Sequence, residues 1–131
     1  GYNRLVVADA DDFLADWPAG GADIVAAVHK AVYLGELGPL FAGAARALRQ
    51  GGLFVLTTER WNADDAHDAF GVGPGETAWR LRPNGRYQHA RAALAGWAAQ
   101  HGFASPAIED CVLRYELGLP VDSDLAVMRR T

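Results

Sequence analysis

Two side chains able to move a proton, His29 and Glu59, each stand at the carboxyl end of a short apolar run. A neutral imidazole can take a proton from a hydroxyl or an amine near neutral pH, and a carboxylate can do so where its surroundings raise its basicity. His29 and Glu59 are therefore the candidate bases. A second group, Arg82, Arg86, Tyr87 and His89, flanks Pro83-Asn84-Gly85 and offers cations, a phenol and an imidazole to an acidic or aromatic partner. Tyr33 and Trp61 add a hydroxyl and an indole beside the two candidate bases. Each group has a simpler alternative. His29 can bond the turn after it, Tyr33 can pack its ring on a sheet, Glu59 can pair with Arg60 beside a half-buried Trp61, and His89 can cap a helix beginning at Ala90.

Positioning His29 and Glu59 requires one βαβ unit. Residues 23–28 form an apolar run suited to a strand buried on both faces, preceded by the Gly20-Gly21 turn. Leu37, Leu40, Phe41, Ala44, Ala45 and Leu48 recur at helical spacing, which predicts a helix over 37–50 with one core-facing stripe. Pro39 suits its first turn, Glu36 its positive end, Arg46 and Arg49 its negative end, and Gly51 its stop. Leu53 to Leu56 then reads as a second strand, continued by Thr57 and Thr58. In such units ligands sit beyond the carboxyl ends of the strands, where His29 and Glu59 fall.

Composition limits the alternatives. At 131 residues and 50% hydrophobic, residues 1–131 are long enough for one core and short for two typical domains. No apolar run approaches the ~20 residues that span a bilayer, and no basic-then-apolar leader opens the chain, so the expectation is a cytoplasmic protein without a membrane partner. The single Cys111 can form no intramolecular disulfide and reads as a core thiol; no Cys/His cluster has zinc spacing, so no metal is called for. A net charge of −4, with acids in 9–16 and bases in 79–91, gives no continuous basic face and argues against nucleic acid as a partner.

Outside the βαβ unit, residues 4–8 read as a first strand, closed by Asp9-Ala10-Asp11-Asp12 and a helical turn at Phe13-Leu14. Arg60 to Glu76, with Gly71-Val-Gly-Pro-Gly75, reads as a long irregular loop. With the hairpin flanking Pro83-Asn84-Gly85 it makes residues 60–89 an insertion. Residues 90–101 read as a helix presenting Ala93, Leu94, Trp97 and Ala98, stopped by Gly102. Residues 108–115 and 125–128 read as two closing antiparallel strands joined by a Gly-Pro-Asp-Ser loop.

The ordered set of 7–14, 23–25, 33–37, 48–54, 81–89 and Gly102-Phe103 resembles the class I S-adenosylmethionine-dependent methyltransferases. Within them it looks like a bacterial predicted methyltransferase group often fused to tetratricopeptide repeats. The fold this implies is α/β: a partial Rossmann-like methyltransferase sheet, mostly parallel, with an antiparallel carboxyl-terminal strand pair and an inserted β-hairpin. The cofactor implied is S-adenosylmethionine, and the reaction is methyl transfer to a small-molecule or protein nucleophile as part of a larger domain. A catalytically inactive binding or dimerisation module is the alternative.

The resemblance also assigns residues. Asp9 and Ala10 fall where the family places an acid for the adenine amino group and a backbone amide for the ring, with Phe13 as an apolar wall. Asp9 can equally cap the helix, and Asp11 can take either role. Val28 and His29 close the strand beside the cofactor; His29 departs from the family's usual acid there and serves as base or stacks near the sulfonium. Tyr33, Trp61, Arg86, Tyr87 and His89 fall where acceptor contacts are expected. The family's Gly-rich turn and the acid that binds the ribose belong to strands that precede residues matched here. In the family strand order 3-2-1-4-5-7-6, the strands at 4–8 and 23–28 are then left with unpaired edges. Either a preceding segment completes the sheet, the two strands pair directly, or a second copy of the chain supplies the partner, and self-association or recruitment of the preceding segment is expected.

Overall fold

The computed structural model describes residues 3–61 and 79–131; of the loop predicted from Arg60 to Glu76, Arg60 ends a strand instead and the part from residue 62 on lies outside the described residues. The elements run α1 (Ala10–Asp16), β1 (Ala22–Ala27), a 3-10 turn (Ala31–Tyr33), α2 (Gly38–Ala47), β2 (Leu48–Arg60), β3 (Trp79–Leu81), β4 (Tyr87–His89), α3 (Arg91–Gln100), β5 (Ala107–Glu116) and β6 (Leu119–Arg129). β2 is the axis of the sheet. One of its edges takes β6 along Leu53 to Glu59; the other takes β1 along Leu53 to Leu56 and then β4 at Glu59 and Arg60. β5 extends the sheet beyond β6, and β3 extends it beyond β4.

The stripe predicted for α2 is the heart of the core. Leu37, Phe41 and Ala44 are fully buried, and Leu40 and Leu48 nearly so. Phe41 meets Phe54 and Phe103 edge to face, with Trp97 of α3 tilted against it. Glu36 ties the two helices, its Oε1 accepting from the Gly38 amide at 2.8 Å and the Trp97 indole at 2.9 Å. Arg46 reaches back to the carbonyls of Leu14 and Trp17, satisfying acceptors at the end of α1 that a helix leaves open.

Several expectations need correction. The sheet is mixed: β1–β2 and β2–β4 are parallel, whereas β2–β6, β3–β4 and β5–β6 are antiparallel, so it is not mostly parallel. The excess of antiparallel pairs comes from two hairpins and from residues 4–8, which form no strand. With no described neighbour to accept its ladder bonds, that segment stays irregular, leaving Leu5 80% and Val7 fully exposed. α2 stops at Ala47, three residues before the expected end, because Leu48 is already extended and pairs with Ala22. Gly51 is a positive-φ kink inside β2, its amide bonded to the Arg130 carbonyl at 2.7 Å. The closing loop is also shorter than expected: Leu117 and Gly118, both at positive φ, make a two-residue turn, and β6 runs on through Pro120 to Ser123.

All three helices share one core on one face of the sheet. Facing them, Phe54, Leu56, Ala126 and Met128 are buried, while their neighbours on the opposite face, Leu53, Val55, Leu125 and Val127, are only half-buried. Cys111 belongs to that second face, opposite Ser123; it is half-buried, not a core thiol, and burial is the main cause that raises its pKa.

Candidate functional site

α1 and β1 enclose an apolar groove of about 390 Å³, lined among others by Ala10, Phe13, Trp17, Ile24 and Val28. That volume falls in the range of small-molecule sites. Two residues assigned to the cofactor, Ala10 and Val28, thus line one groove. Asp9 takes the simpler of its two roles: its carboxylate accepts from the Asp11 amide at 2.9 Å and caps α1. Asp11 keeps a buried carboxylate oxygen with no partner among the described residues. Asp11 is the chain neighbour of Ala10 but does not itself line the groove.

His29 follows β1 with φ at +57°, a left-handed conformation uncommon outside glycine, though histidine adopts it more readily than most residues. Its amide donates to Thr57 Oγ1 at 2.9 Å, which holds this turn against β2, and its side chain is exposed. Glu59 has a different setting. It is 3% exposed, within the ladder between Gln88 and Ser123. Its Oε1 accepts from Arg114 Nε at 2.7 Å and its Oε2 from Arg86 Nε at 3.1 Å, so both oxygens are engaged by guanidinium groups. This is a clamp joining β2, the β3–β4 turn and β5. Glu59, a candidate base in the sequence, thus holds two guanidinium groups together in this structure.

The β3–β4 hairpin folds against the segment after the 3-10 turn. Arg86 stacks over the Tyr33 ring at 5.6 Å, while Tyr33 itself is 62% exposed. Gly35 permits this approach, since a Cβ there would lie 2.4 Å from Trp79 Nε1 and 3.0 Å from the Tyr87 ring. Tyr33, Arg86 and Tyr87 therefore gather near one end of the sheet. Trp61 and His89 do not reach solvent with them: Trp61 is 7% exposed, and His89 is fully buried with Nε2 at 3.0 Å from the Gly35 carbonyl and its ring edge-on to Trp97. Both are core residues that fix the hairpin, which corrects their reading as acceptor contacts.

Burial holds the His89 pKa below its ordinary value of 6.5, against the opposing backbone bond to Gly35. The unfolded chain then binds a proton that the folded chain refuses, so this group's stabilisation is complete above pH 6.5 and is lost as pH falls below it. The expected slope, read by urea unfolding between about pH 7.5 and 5.5, is up to roughly 1.4 kcal/mol per pH unit, and His89→Gln flattens it.

Sequence reading missed a second ionic cluster, on the helix-covered face. Asp124 is fully buried and accepts from Arg60 Nε at 2.9 Å and from Arg91 Nε at 3.1 Å; Asp110, 76% exposed, also bonds both arginines. The bonds to Asp124 are the main cause raising the pKa of both guanidinium groups. The available signal was the placement of Asp124 between Ser123 and Leu125, facing the core by strand alternation. Among the described residues no three His, Cys, Asp or Glu side chains gather to hold a metal, and no helix is long and apolar enough to cross a membrane.

No protein-family model matches the chain, and no curated protein matches it. Solved structures do. A S-adenosylmethionine-dependent methyltransferase from Methanosarcina mazei matches with a TM-score of 0.66 at 13% identity, over 88% of this chain and 62% of that one. One from Mesorhizobium loti matches with a TM-score of 0.61 at 20% identity, over 94% and 68%. Geranyl diphosphate C-methyltransferase from Streptomyces coelicolor, solved with S-adenosyl-L-homocysteine, matches with a TM-score of 0.61 at 16% identity, over 88% and 49%. The chain has the class I S-adenosylmethionine-dependent methyltransferase fold and spans about half to two thirds of the length of these structures.

Proposed function

We propose that the chain is part of a larger domain that transfers a methyl group from S-adenosylmethionine to a small-molecule or protein nucleophile. The observation that carries this is the α1–β1 groove, in a methyltransferase fold, with Ala10, Phe13 and Val28 on its wall. These residues fit the adenine end of the cofactor. When bound, the cofactor supplies an electrophilic methyl group on a sulfonium. The chain's own residues orient the partners, which is most of what an in-line displacement needs. Phe13 and Val28 exclude water from one side of the ring, and His29, exposed just beyond β1, takes the proton of a hydroxyl or amine acceptor. Tyr33, Arg86 and Tyr87 face that acceptor.

A second reading, a catalytically inactive binding module on the same fold, is favoured by two observations: the Glu59 carboxylate is fully engaged by arginines and the Asp9 carboxylate by the α1 cap. Titration with S-adenosylhomocysteine tests the proposal directly. The ligand is expected to raise the melting temperature, by an amount equivalent to about 2.7 kcal/mol at a hundredfold excess over its dissociation constant, and Ala10→Phe is expected to abolish the shift by filling the groove. No binding at millimolar ligand, with or without a preceding polypeptide joined to the chain, would refute it. Binding without methyl transfer to any hydroxyl, amine or carbon acceptor would favour the inactive module.

A further inference from the structure

Thr57 is 3% exposed, yet it carries a hydroxyl in a strand whose preceding residues, Phe54 to Leu56, are apolar. Valine has nearly the same shape and is cheaper to bury, so packing does not explain the hydroxyl. The edge of β2 does. Its ladder with β1 ends at the Ala27–Leu56 pair, and its ladder with β4 begins at Glu59–Gln88. Thr57 and Thr58 lie in the gap between the two. There Thr57 Oγ1 accepts from the His29 amide at 2.9 Å, so a side chain makes the bond that the ladder no longer supplies.

The residue held in this way is strained. Ala27, 9% exposed, closes β1, and the fully buried Ala31 opens the 3-10 turn, so residues 28–30 must turn the chain between two fixed points. His29 does this at φ +57°, where glycine would carry no steric cost. Such conformations persist only when their surroundings impose them. A return to negative φ would re-aim the Cβ, and the imidazole with it.

We infer that Thr57 is a positioning residue for methyl transfer: its hydroxyl keeps the His29 main chain left-handed and so fixes where the imidazole stands relative to the acceptor. The inference rests on the reading of His29 as the base. Thr57 is buried behind His29 and acts only through it. Proton removal depends on hydrogen-bond reach, so a small displacement of the imidazole is costly.

Thr57→Val and Thr57→Ser separate this role from packing. Valine keeps the volume and loses the acceptor; serine keeps the acceptor and loses a methyl group. Packing alone ranks valine above serine, and positioning ranks serine above valine. Turnover is read as release of S-adenosylhomocysteine from S-adenosylmethionine, with phenol and benzylamine as hydroxyl and amine probes. Thr57→Val is expected to lower kcat by about tenfold to a hundredfold with the KM for S-adenosylmethionine unchanged, and Thr57→Ser to stay within about threefold. Nuclear magnetic resonance of His29 gives a second readout. The amide-to-α-proton coupling and carbon shifts that mark a positive φ should be present in the unmodified chain and in Thr57→Ser, and lost in Thr57→Val. A valine variant that turns over normally or keeps the left-handed signature overturns the inference, as does a serine variant as slow as valine. Failure of the underlying reading is distinct: an unmodified chain that binds no S-adenosylhomocysteine or methylates neither probe, or a His29→Asn variant with full turnover, removes the base and the inference with it.

Discussion

Replacing Asp124 with alanine is expected to lower the unfolding free energy by about 3–5 kcal/mol, because it leaves Arg60 as a charge inside the protein with its main partner gone. Arg60 Nε and Nη2 both bond Asp124, and its side chain is only 16% exposed. Asp110 remains, but at 76% exposure its bond to Arg60 is made in water and is worth much less. The damage spreads beyond one bond. Asp124, on β6 opposite Thr58 of β2, bonds Arg60 of β2 and Arg91 at the start of α3, so one carboxylate ties two strands to a helix. A positive charge at a helix amino terminus is itself unfavourable, which makes Arg91 dependent on the same group. The expected fall in melting temperature is roughly 10–20 °C for a domain of this size. Removing the pair as a whole should be far milder: Arg60→Met with Asp124→Leu is expected to recover most of the loss, since neither charge is left buried alone. Urea unfolding of the single and double variants measures both.

The contrast between Asp124 and Phe41 says which parts of this chain were legible. Phe41 belongs to a six-residue apolar stripe at helical spacing, and its complete burial follows from local pattern alone. The hairpin was legible for a similar reason: Pro83-Asn84-Gly85 dictates a turn, and β3 and β4 pair around it. Strand ends were less so. Leu48 to Gln50 continue the helical stripe in sequence, yet the ladder with Ala22 and the bond from Gly51 to Arg130 draw them into β2, partners that lie far along the chain. Residues 4–8 have every local property of a strand and form none, since a strand is completed by its neighbour. In the candidate site the same limit applied to charge. That Glu59 closes a strand was readable; that Arg86 and Arg114 occupy its oxygens was not, because the three meet only when β4 and β5 are placed beside β2.

Glu59 therefore supplies the sharpest functional test. As a clamp, it should behave like any buried partner of charged donors, and Glu59→Gln is expected to cost about 2–3 kcal/mol, less than Asp124 because Arg86 and Arg114 are 20% and 25% exposed and can turn to water. The amide keeps the shape but loses the charge that holds two guanidinium groups together, so they repel. The β3–β4 turn and β5 should loosen first, visible as faster amide exchange at Arg82 and Arg86, where the turn's own backbone bond is found. As a base, Glu59 would predict the opposite pattern, unchanged stability with lost turnover. His29→Asn is the matched experiment. Asparagine tolerates the left-handed backbone at φ +57°, and the Thr57 bond uses the main chain, so stability should hold within about 0.5 kcal/mol. If proton removal from the methyl acceptor runs through His29, this variant keeps S-adenosylhomocysteine binding and loses turnover by the ~10²–10⁴-fold typical of general-base catalysis. Should Glu59→Gln instead melt like the unmodified chain and fail in turnover, the base assignment moves to Glu59 and the clamp is refuted.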